Sequence, residues 1–266
     1  MQLATTLHRR WLFATQGKNR VICAANRAAG STLSVLGAKS FADPVCGYNG
    51  PFVSFKGRKY AMCPSCGSLE RHRLQRLVLD AVPERGEFKN MRILHVAPEM
   101  FFVPLLRAWF KDYKSADLTG NNVDYKADLC NLQFADGSFD VVYASHVLEH
   151  VQDDRKALSE IHRVLSPKGL AFLPVPIFAG IPTVEYPHPV KTETDHVRQP
   201  GTLDYFNRHA EFFPRVQQYT SDDFASEHQL YSLEERGHWP TKDMPYRLPV
   251  RGSKHVDIVP VCYKSR

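Results

Sequence analysis

Several features are missing from this sequence, and each absence excludes a class of protein. No apolar run approaches the ~20 residues that a membrane-spanning helix needs, so we expect no transmembrane segment. Only 6 cysteines occur in 266 residues, and Cys46, Cys63 and Cys66 are the ones that lie near one another in the chain. A disulfide scaffold is therefore not expected, and a reducing, cytoplasmic compartment fits this cysteine usage.

Acidic residues are absent from residues 1–42, so a basic leader begins this chain of net charge +6. The basic residues of this leader are Arg9, Arg10, Lys18, Arg20, Arg27 and Lys39. Such a leader can be a transit-like segment, a membrane-surface helix or a solvated basic helix. We predict the solvated helix, because a run of charge usually faces solvent.

Apolar runs of strand length alternate with helical patterns from Met91 onward. The runs are Ile93–Ala97, a run that ends at Asp117, Phe139–Ala144 and Gly169–Val175. The clearest helix is Asp153–Leu165, which has acidic residues in its first turn. This alternation predicts an α/β fold in which helices cover a parallel sheet.

The later part of the chain has weaker patterns. Residues 176–214 are rich in Pro, His and charged side chains, which predicts a lid or a substrate-binding insertion more than regular core structure. Thr220–Leu230 is predicted to be a helix, because Thr220 and Asp223 have capping-box spacing. The alternating hydrophobicity of His255–Tyr263 predicts a late strand at the edge of the sheet.

The chain divides into segments at changes of composition. A Gly-, Pro- and Cys-rich stretch is followed by the helical pattern Leu69–Ala81, and the break at Pro83–Gly86 closes this module. The predicted segments are a helical basic leader (1–40), a cysteine-rich knuckle with its helix (41–86) and an α/β domain (87–266) that contains the insertion 176–214.

Acidic residues follow strand-like runs at places where a nucleoside can bind. A ligand of nucleoside type needs an acid at the carboxyl end of a strand to hold its ribose hydroxyls. Asp117 ends the second run, about 20 residues after the first strand, and fits this position. Asp128 and Leu129 follow a third short run, where an acid and its adjacent backbone can face the adenine amino group.

One long phrase resembles a known family. Residues 91–176 contain FDVVYASHVLEHVQDDRKALSEIHRVLSPKGLAFL and resemble the methyltransferase type 11 group of class I S-adenosylmethionine-dependent methyltransferases. With the phrase CPSCGSLERHR, the resemblance extends over residues 41–213 to a subgroup that joins a zinc-ribbon-like knuckle to this fold. The resemblance implies a Rossmann-like sheet, mostly parallel with one late antiparallel strand, and S-adenosylmethionine as the methyl donor.

The turn after the first strand departs from the pattern of the group. The group has acid-x-Gly-x-Gly there, whereas this chain has His95-Val96-Ala97-Pro98-Glu99. Without glycines the backbone can approach a donor less closely. Because the subgroup has a similar HVAPE phrase, we interpret Glu99 and the Ala97 backbone as substitutes that face the methionine end. The predicted donor-binding residues are His95, Ala97, Glu99, Asp117, Leu118, Asp128, Leu129 and Ser145.

Histidines near the end of the fourth strand are candidate bases. Methyl transfer is an in-line displacement that needs positioning first, and a base helps only when the nucleophile is weak, such as a hydroxyl. His146 and His150 follow the fourth strand, where the acceptor should meet the sulfonium. His150 can equally be a helix-end or core histidine. In the insertion, His196 is a further candidate base, and Arg198 could hold an acidic acceptor.

The cysteines predict a metal site. Cys63 and Cys66 form a typical zinc knuckle, and the 16 residues between Cys46 and Cys63 suit a ribbon whose two knuckles converge. Asp43 stands where the subgroup usually has Cys, which leaves Asp43 or His72 as the fourth ligand. The zinc would be structural, because a mostly thiolate site offers no open position. The alternative is a zinc-free vestige held together by hydrophobic contacts.

Different functions fit these patterns. The leading one is methyl transfer to a small-molecule or glycan-like acceptor at oxygen, because SHVLEH replaces the Asn/Asp-Pro-Pro-aromatic motif usual in enzymes that act on exocyclic amines. The second is rRNA or tRNA methylation, with the knuckle and the basic leader bound to RNA. The basic residues Arg71, Arg73 and Arg76 could contact phosphate, although a solvated face or salt bridges are more common. The third is a non-catalytic binding module with a degenerate donor pocket. The sequence carries no signal for the oligomeric state.

Overall fold

The structure is a computed structural model that describes residues 37–190, 195–233 and 254–265, with the backbone alone at 254 and 255. Residues 1–36 of the predicted basic leader lie outside the described residues. Among the described residues, no helix is long and apolar enough to cross a membrane.

Helices and strands alternate along most of the chain. The helices are α1 (Glu70–Ala81), α2 (Val103–Trp109), α3 (Asp154–Val164) and α4 (Tyr205–Ala210). The strands are β1 (Ser40–Ala42), β2 (Asn49–Pro51), β3 (Val53–Phe55), β4 (Arg58–Met62), β5 (Arg92–Val96), β6 (Asp112–Asp117), β7 (Tyr125–Lys126), β8 (Phe139–Ala144), β9 (Leu165–Phe172), β10 (Val184–Val190), β11 (His196–Gln199), β12 (Arg215–Thr220), β13 (Ser232–Leu233), β14 (Lys254–His255) and β15 (Ile258–Tyr263). Single turns and short runs of 3-10 helix cover Pro83–Asn90, Leu148–His150, Ser221–Asp223 and Ser226–His228.

The chain folds into two compact units. The knuckle unit contains the described residues of the ranges 1–80 and 220–257, and the sheet unit contains those of 81–219 and 258–266. In the knuckle unit, β1 pairs with β2, β3 with β4 and β13 with β14, each antiparallel. Its small apolar core contains Phe41, Phe52 and Cys63.

The sheet unit is built on a seven-stranded sheet with the order β12-β15-β9-β8-β5-β6-β7. The strands β7, β6, β5, β8 and β9 pair in parallel, and β15 pairs antiparallel with β9. This confirms the predicted Rossmann-like sheet with one late antiparallel strand. The prediction that this late strand lies at the edge is wrong, because β15 lies between β9 and β12.

Helix α3 shows how the sequence pattern produces the layer that covers the sheet. Asp153 caps the helix by accepting a hydrogen bond from the Lys156 amide. The residues of its apolar face, Ala157, Leu158, Ile161 and Val164, are 0% exposed and join the core that includes Leu94, Val96 and Val142 of the sheet. The predicted helix Asp153–Leu165 is therefore confirmed.

The predicted helix Thr220–Leu230 is wrong. The capping contacts do form, since the Thr220 amide donates to Asp223 Oδ2 at 2.6 Å, but only single 3-10 turns follow. The side chain of Ser221 is one reason. Its hydroxyl donates to the Leu230 carbonyl at 2.9 Å and accepts from the Asp257 amide at 3.0 Å, so tertiary hydrogen bonds hold this segment in an irregular path.

The insertion 176–214 contains more regular structure than predicted. Strands β10 and β11 pair antiparallel, and α4 follows them. Tyr205, Phe206 and Phe213 belong to the same core as α3. These aromatic side chains explain the difference, because burying them supplies the stabilisation that the Pro- and His-rich composition did not indicate.

Candidate functional site

The carboxyl ends of three neighbouring parallel strands meet at one edge of the sheet. In the register, Val96 of β5 lies beside Ala116 of β6 and Ala144 of β8. The next residues, Ala97, Asp117 and Ser145, therefore form a row at this edge. In open α/β sheets, ligands bind at such an edge, beyond the carboxyl ends of the strands.

The turn after β5 begins with Ala97 in the left-handed region, at φ 50°. This conformation is uncommon for a residue other than glycine, so Ala97 takes the backbone geometry that the missing glycine would favour. Its amide donates to the Ala116 carbonyl at 2.8 Å, which holds the turn against β6. Ala97, Pro98 and Glu99 are only partly buried.

The side chain of His95 lies in the core and not at this turn. It is 0% exposed, and its Nδ1 lies 3.0 Å from the Tyr113 hydroxyl, with a second ring contact to Tyr143. Burial lowers the pKa of His95 to about 3. The imidazole is thus a neutral core group, and at this predicted donor-binding position only the backbone is left to face a ligand.

Asp117 is held in a defined orientation at the end of β6. It is 4% exposed, and its Oδ1 accepts hydrogen bonds from the amides of Thr119 at 2.8 Å and Gly120 at 2.7 Å. The neighbouring Leu118 is 63% exposed. A carboxylate held in this way at the carboxyl end of a strand is a group that can hydrogen-bond ribose hydroxyls.

The other predicted donor-binding residues differ in exposure. Asp128 is exposed, and its Oδ1 accepts from the Cys130 amide at 2.8 Å. Leu129 is 6% exposed and lies in the core with Ala127. Ser145, at the end of β8, is 3% exposed.

Directly after Ser145 the chain forms a group of side chains that we call the imidazole cluster: His146, Glu149, His150 and His196. His146 has φ 54°, and its amide donates to the Pro174 carbonyl at 2.8 Å. Its Nδ1 lies 3.3 Å from Glu149 Oε1, and the ring centroids of His150 and His196 lie 4.7 Å apart. The structure therefore brings the three predicted base candidates together.

Glu149 lies at the centre of this cluster. Its side chain is 1% exposed, whereas those of His146 and His150 are 21% and 29% exposed. Burial raises the pKa of Glu149, but His146, His150 and His196 outweigh this effect and lower the pKa to about 2. The cluster is thus a buried carboxylate covered by partly exposed imidazoles.

The interpretation of Arg198 as a group that holds an acidic acceptor is wrong. Its guanidinium is buried and donates to the carbonyls of Leu148 at 2.7 Å, Val151 at 2.6 Å and Gln152 at 2.9 Å. It also pairs with Glu185 at 3.1 Å. Arg198 therefore fastens β11 to the segment that contains Glu149 and His150, and so positions His196 beside them.

A second group, the thiolate cluster, lies in the knuckle unit and contains Asp43, Cys46, Cys63 and Cys66. One ligand atom from each residue lies within 4.8 Å of all the others. The sulfurs of Cys46 and Cys63 are 3.8 Å apart, and Asp43 Oδ2 lies 3.3 Å from Cys46 Sγ and 3.0 Å from Cys66 Sγ. Tetrahedral zinc with Zn–S bonds of about 2.3 Å places its sulfurs about 3.8 Å apart, so this spacing fits zinc.

The two knuckles of this cluster share one backbone geometry. The Asp43 amide donates to the Tyr48 carbonyl at 2.8 Å, and the Cys63 amide donates to the Ser68 carbonyl at 2.9 Å. Gly47 and Gly67 follow Cys46 and Cys66 with φ of 76° and 81°. Asp43 thus occupies the position in the first knuckle that Cys63 has in the second.

His72 is not the fourth member of the cluster. Its Nδ1 accepts a hydrogen bond from the Leu69 amide at 3.0 Å, which leaves Asp43 as the carboxylate that faces the sulfurs. Ser68 was not among the predicted residues, yet its hydroxyl donates to Asp43 Oδ2 at 2.8 Å. Its position two residues after Cys66 is the signal that could have found it.

The arginines of α1 have structural partners in the knuckle unit. Arg73 is 0% exposed and donates to the carbonyls of Ala61 at 3.0 Å and Gln229 at 2.6 Å. Arg76 donates to the Pro44 carbonyl at 2.8 Å and pairs with Asp80 at 2.9 Å. Internal partners therefore occupy two of the arginines that the sequence offers for phosphate contacts.

The strand order and the row at the carboxyl edge define a Rossmann-like methyltransferase fold. Residues 103–173, from the start of α2 to the residue after β9, match the family model described as a methyltransferase domain. The enzyme class is accordingly S-adenosylmethionine-dependent methyltransferase, and S-adenosylmethionine is its methyl donor.

Solved structures with similar folds include further methyltransferases. One is a Bacillus halodurans protein described as a methyltransferase, with 16% identity, a TM-score of 0.45, and coverage of 73% of this chain and 99% of that chain. Another is the 1,6-didemethyltoxoflavin-N1-methyltransferase of Burkholderia thailandensis, with 13% identity, a TM-score of 0.44, and coverage of 73% and 84%. A search of curated proteins finds no match to the sequence.

Proposed function

We propose that the chain transfers a methyl group from S-adenosylmethionine to an oxygen atom of a small-molecule or glycan-like acceptor. The observation that carries this proposal is the imidazole cluster, which follows β8 directly and begins next to Ser145 in the row with Ala97 and Asp117. A hydroxyl acceptor is a weak nucleophile and benefits from a nearby base, and the cluster offers imidazoles for this purpose.

The donor is held by the residues of the row and its flanks. Asp117 would hydrogen-bond the ribose hydroxyls, and the exposed Leu118 would cover a face of the adenine. Asp128, with the backbone of Leu129, would face the adenine amino group. The turn that Ala97 opens lies at the methionine end, where its left-handed backbone keeps the chain close to β6.

The methyl transfer is an in-line displacement at the sulfonium. The acceptor oxygen forms a bond to the methyl carbon while the carbon–sulfur bond breaks, and S-adenosylhomocysteine leaves. The hydroxyl proton moves to an imidazole of the cluster, with His146, His150 and His196 as the candidates. Positioning of the two reactants supplies most of the rate, because the reaction needs a collinear approach.

The experiment follows labelled methyl from S-adenosylmethionine into separate pools of glycans, small hydroxylated molecules, lipids and RNA. We expect label in the glycan or small-molecule pool, at oxygen. Label in rRNA or tRNA would support the alternative in which the leader and the knuckle bind RNA, and would contradict this proposal. Calorimetry without measurable donor binding would instead support a non-catalytic module.

The donor-site assignment has its own test. Asp117→Ala should weaken binding of S-adenosylhomocysteine by about 1–3 kcal/mol, the cost of lost hydrogen bonds to a charged group. Asp124→Ala is the matched control. The Asp124 carboxylate accepts hydrogen bonds from the Ser115 hydroxyl and amide at 2.8 Å, and it does not belong to the row of Ala97, Asp117 and Ser145. Equal donor affinity in Asp117→Ala and the unaltered protein would refute the assignment.

We also propose a structural zinc ion in the thiolate cluster, bound by Asp43, Cys46, Cys63 and Cys66. The sulfur spacing of 3.8 Å and the matching backbone of the two knuckles support it. Elemental analysis of the purified chain should find zinc, and Cys46→Ser should reduce the amount retained. The Ser68 hydroxyl, which donates to Asp43 at 2.8 Å, orients the carboxylate toward the ion.

A further inference from the structure

The carboxylate of Glu149 is buried without the hydrogen bonds that such a group normally requires. Within the described residues, neither of its oxygens has a partner in hydrogen-bond geometry. Ring nitrogens lie close to its Oε1, with His146 Nδ1 at 3.3 Å and His150 Nε2 at 3.9 Å. A buried carboxylate is costly unless a cation or several donors face it, so this site favours a positive charge beside Glu149.

The geometry around Glu149 fits a metal ion. One ligand atom each from Glu149, His150 and His196 lie within 4.8 Å of one another. Two imidazole nitrogens and one carboxylate oxygen are a donor set typical of divalent transition metals, whereas Mg²⁺ and Ca²⁺ prefer oxygen alone.

The three side chains are held in place by different parts of the sheet unit. Glu149 and His150 belong to a 3-10 turn after β8, and His196 begins β11. The Arg198 guanidinium joins these segments through the Leu148 and Val151 carbonyls at 2.7 and 2.6 Å. Such outer contacts fix ligand orientation before an ion arrives.

We propose that Glu149, His150 and His196 form a binding site for a divalent transition-metal ion. Three protein ligands leave coordination positions open, and the 29% exposure of the His150 side chain places the site within reach of solvent. A second part of the proposal rests on the proposed function. The acceptor oxygen binds at an open position of the metal ion, and His146, which is not a metal ligand, is the imidazole that is left to accept the proton.

The experiment measures Mn²⁺ binding to the full chain by the electron paramagnetic resonance signal of free Mn²⁺, without donor or acceptor. Mn²⁺ suits the test because it accepts imidazole and carboxylate ligands and competes poorly for thiolates. We expect saturable binding of one ion per chain, and at least about tenfold weaker binding in His196→Gln and Glu149→Gln.

A matched variant shows whether Mn²⁺ binds at these three residues or elsewhere on the molecule. His162→Gln removes an imidazole on α3 outside the cluster and should bind Mn²⁺ like the unaltered protein. His196 is only partly buried, so His196→Gln keeps the test valid if Glu149→Gln does not fold.

Two outcomes would overturn the proposal: no saturable Mn²⁺ binding up to millimolar concentration, or unchanged affinity in His196→Gln. Because no methyl transfer is measured, a chain that binds Mn²⁺ yet methylates nothing would contradict the proposed function alone.

Discussion

The thiolate cluster and the imidazole cluster are built in opposite ways. In the thiolate cluster, the ligand atoms come in pairs from tight turns, Asp43 with Cys46 and Cys63 with Cys66. In the imidazole cluster, neighbouring residues of one turn meet a residue from a separate hairpin. The first offers four protein ligands and the second three, which is the usual difference between a structural and a reactive metal site.

This difference predicts different consequences of mutation. A closed site stabilises the fold, because ion binding contributes directly to the free energy of folding. A partly exposed site contributes little to stability, because its function needs open positions and access. Stability measurements on matched variants therefore test whether the two clusters have these separate roles.

The largest effect is expected for Cys63→Ser, which removes a ligand that is 0% exposed. It should lower the free energy of unfolding by more than about 4 kcal/mol, because the proposed zinc ion and the packing around it are lost together. Denaturant unfolding measures this change, with Cys130→Ser outside the cluster as the control. Equal stability of Cys63→Ser and the unaltered protein would contradict a structural ion.

A smaller loss is expected for Arg198→Lys. Lysine cannot reach all the carbonyls that the guanidinium binds, so buried acceptors are left without donors, at a cost of about 3 kcal/mol. The same variant should bind Mn²⁺ more weakly, because His196 loses its positioning. The control is Arg155→Lys, an exposed pair with Glu211 at 2.7 Å, which should change stability by less than about 1 kcal/mol. A similar change in both variants would argue against the positioning role.

His95 shows how an imidazole behaves in the core, where burial outweighs the attraction of the Glu99 carboxylate. With a folded pKa of about 3 and an unfolded pKa of about 6.5, its contribution to stability is complete above pH 6.5 and is lost as the pH falls toward 3. At pH 5 the loss should be about 2 kcal/mol.

His95→Gln should remove this part of the acid sensitivity, as measured by unfolding at pH 7.5 and pH 5. His188→Gln, at an exposed position of β10, is the matched control. The same pH dependence in His95→Gln as in the unaltered protein would show that His95 is not a buried neutral group.

The smallest effect on stability is expected for His196→Gln. Its side chain is only partly buried, so the free energy of unfolding should change by less than about 1 kcal/mol. In the comparison of the clusters, this variant should lose Mn²⁺ and keep its stability, whereas Cys63→Ser should lose stability. A loss as large as that of Cys63→Ser would remove the distinction between a structural and a reactive site.

The strands and helices with strong periodicity could be predicted closely. Strand β8 has the predicted bounds, Phe139–Ala144, and α3 lies within the predicted helix. In these elements the apolar residues recur at a fixed spacing and form one face. The spacing that predicts this buried face can be read from the local sequence alone. Thr220–Leu230 failed because a capping signal starts a turn but cannot extend it without an apolar face.

The candidate sites were predictable to the extent that their residues are neighbours in the chain. The CPSCG phrase predicts a turn that the Cys63 amide closes on the Ser68 carbonyl, and the predicted run that ends at Asp117 has the same end as β6. The sequence left Asp43 and His72 as alternatives, and only the structure shows that Asp43 lies with the three cysteines. Arg198 was misinterpreted, because its carbonyl partners belong to a segment more than 40 residues earlier.

By itself, the sequence determined the alternation of strands and helices, the pairing of knuckle ligands and the chemical types present at the strand ends. All of these depend on spacings of a few residues. Only the tertiary structure decided that His196 meets Glu149 and His150, that β15 lies inside the sheet and that His95 is core. Each of these depends on contacts between distant segments, which local spacing does not encode.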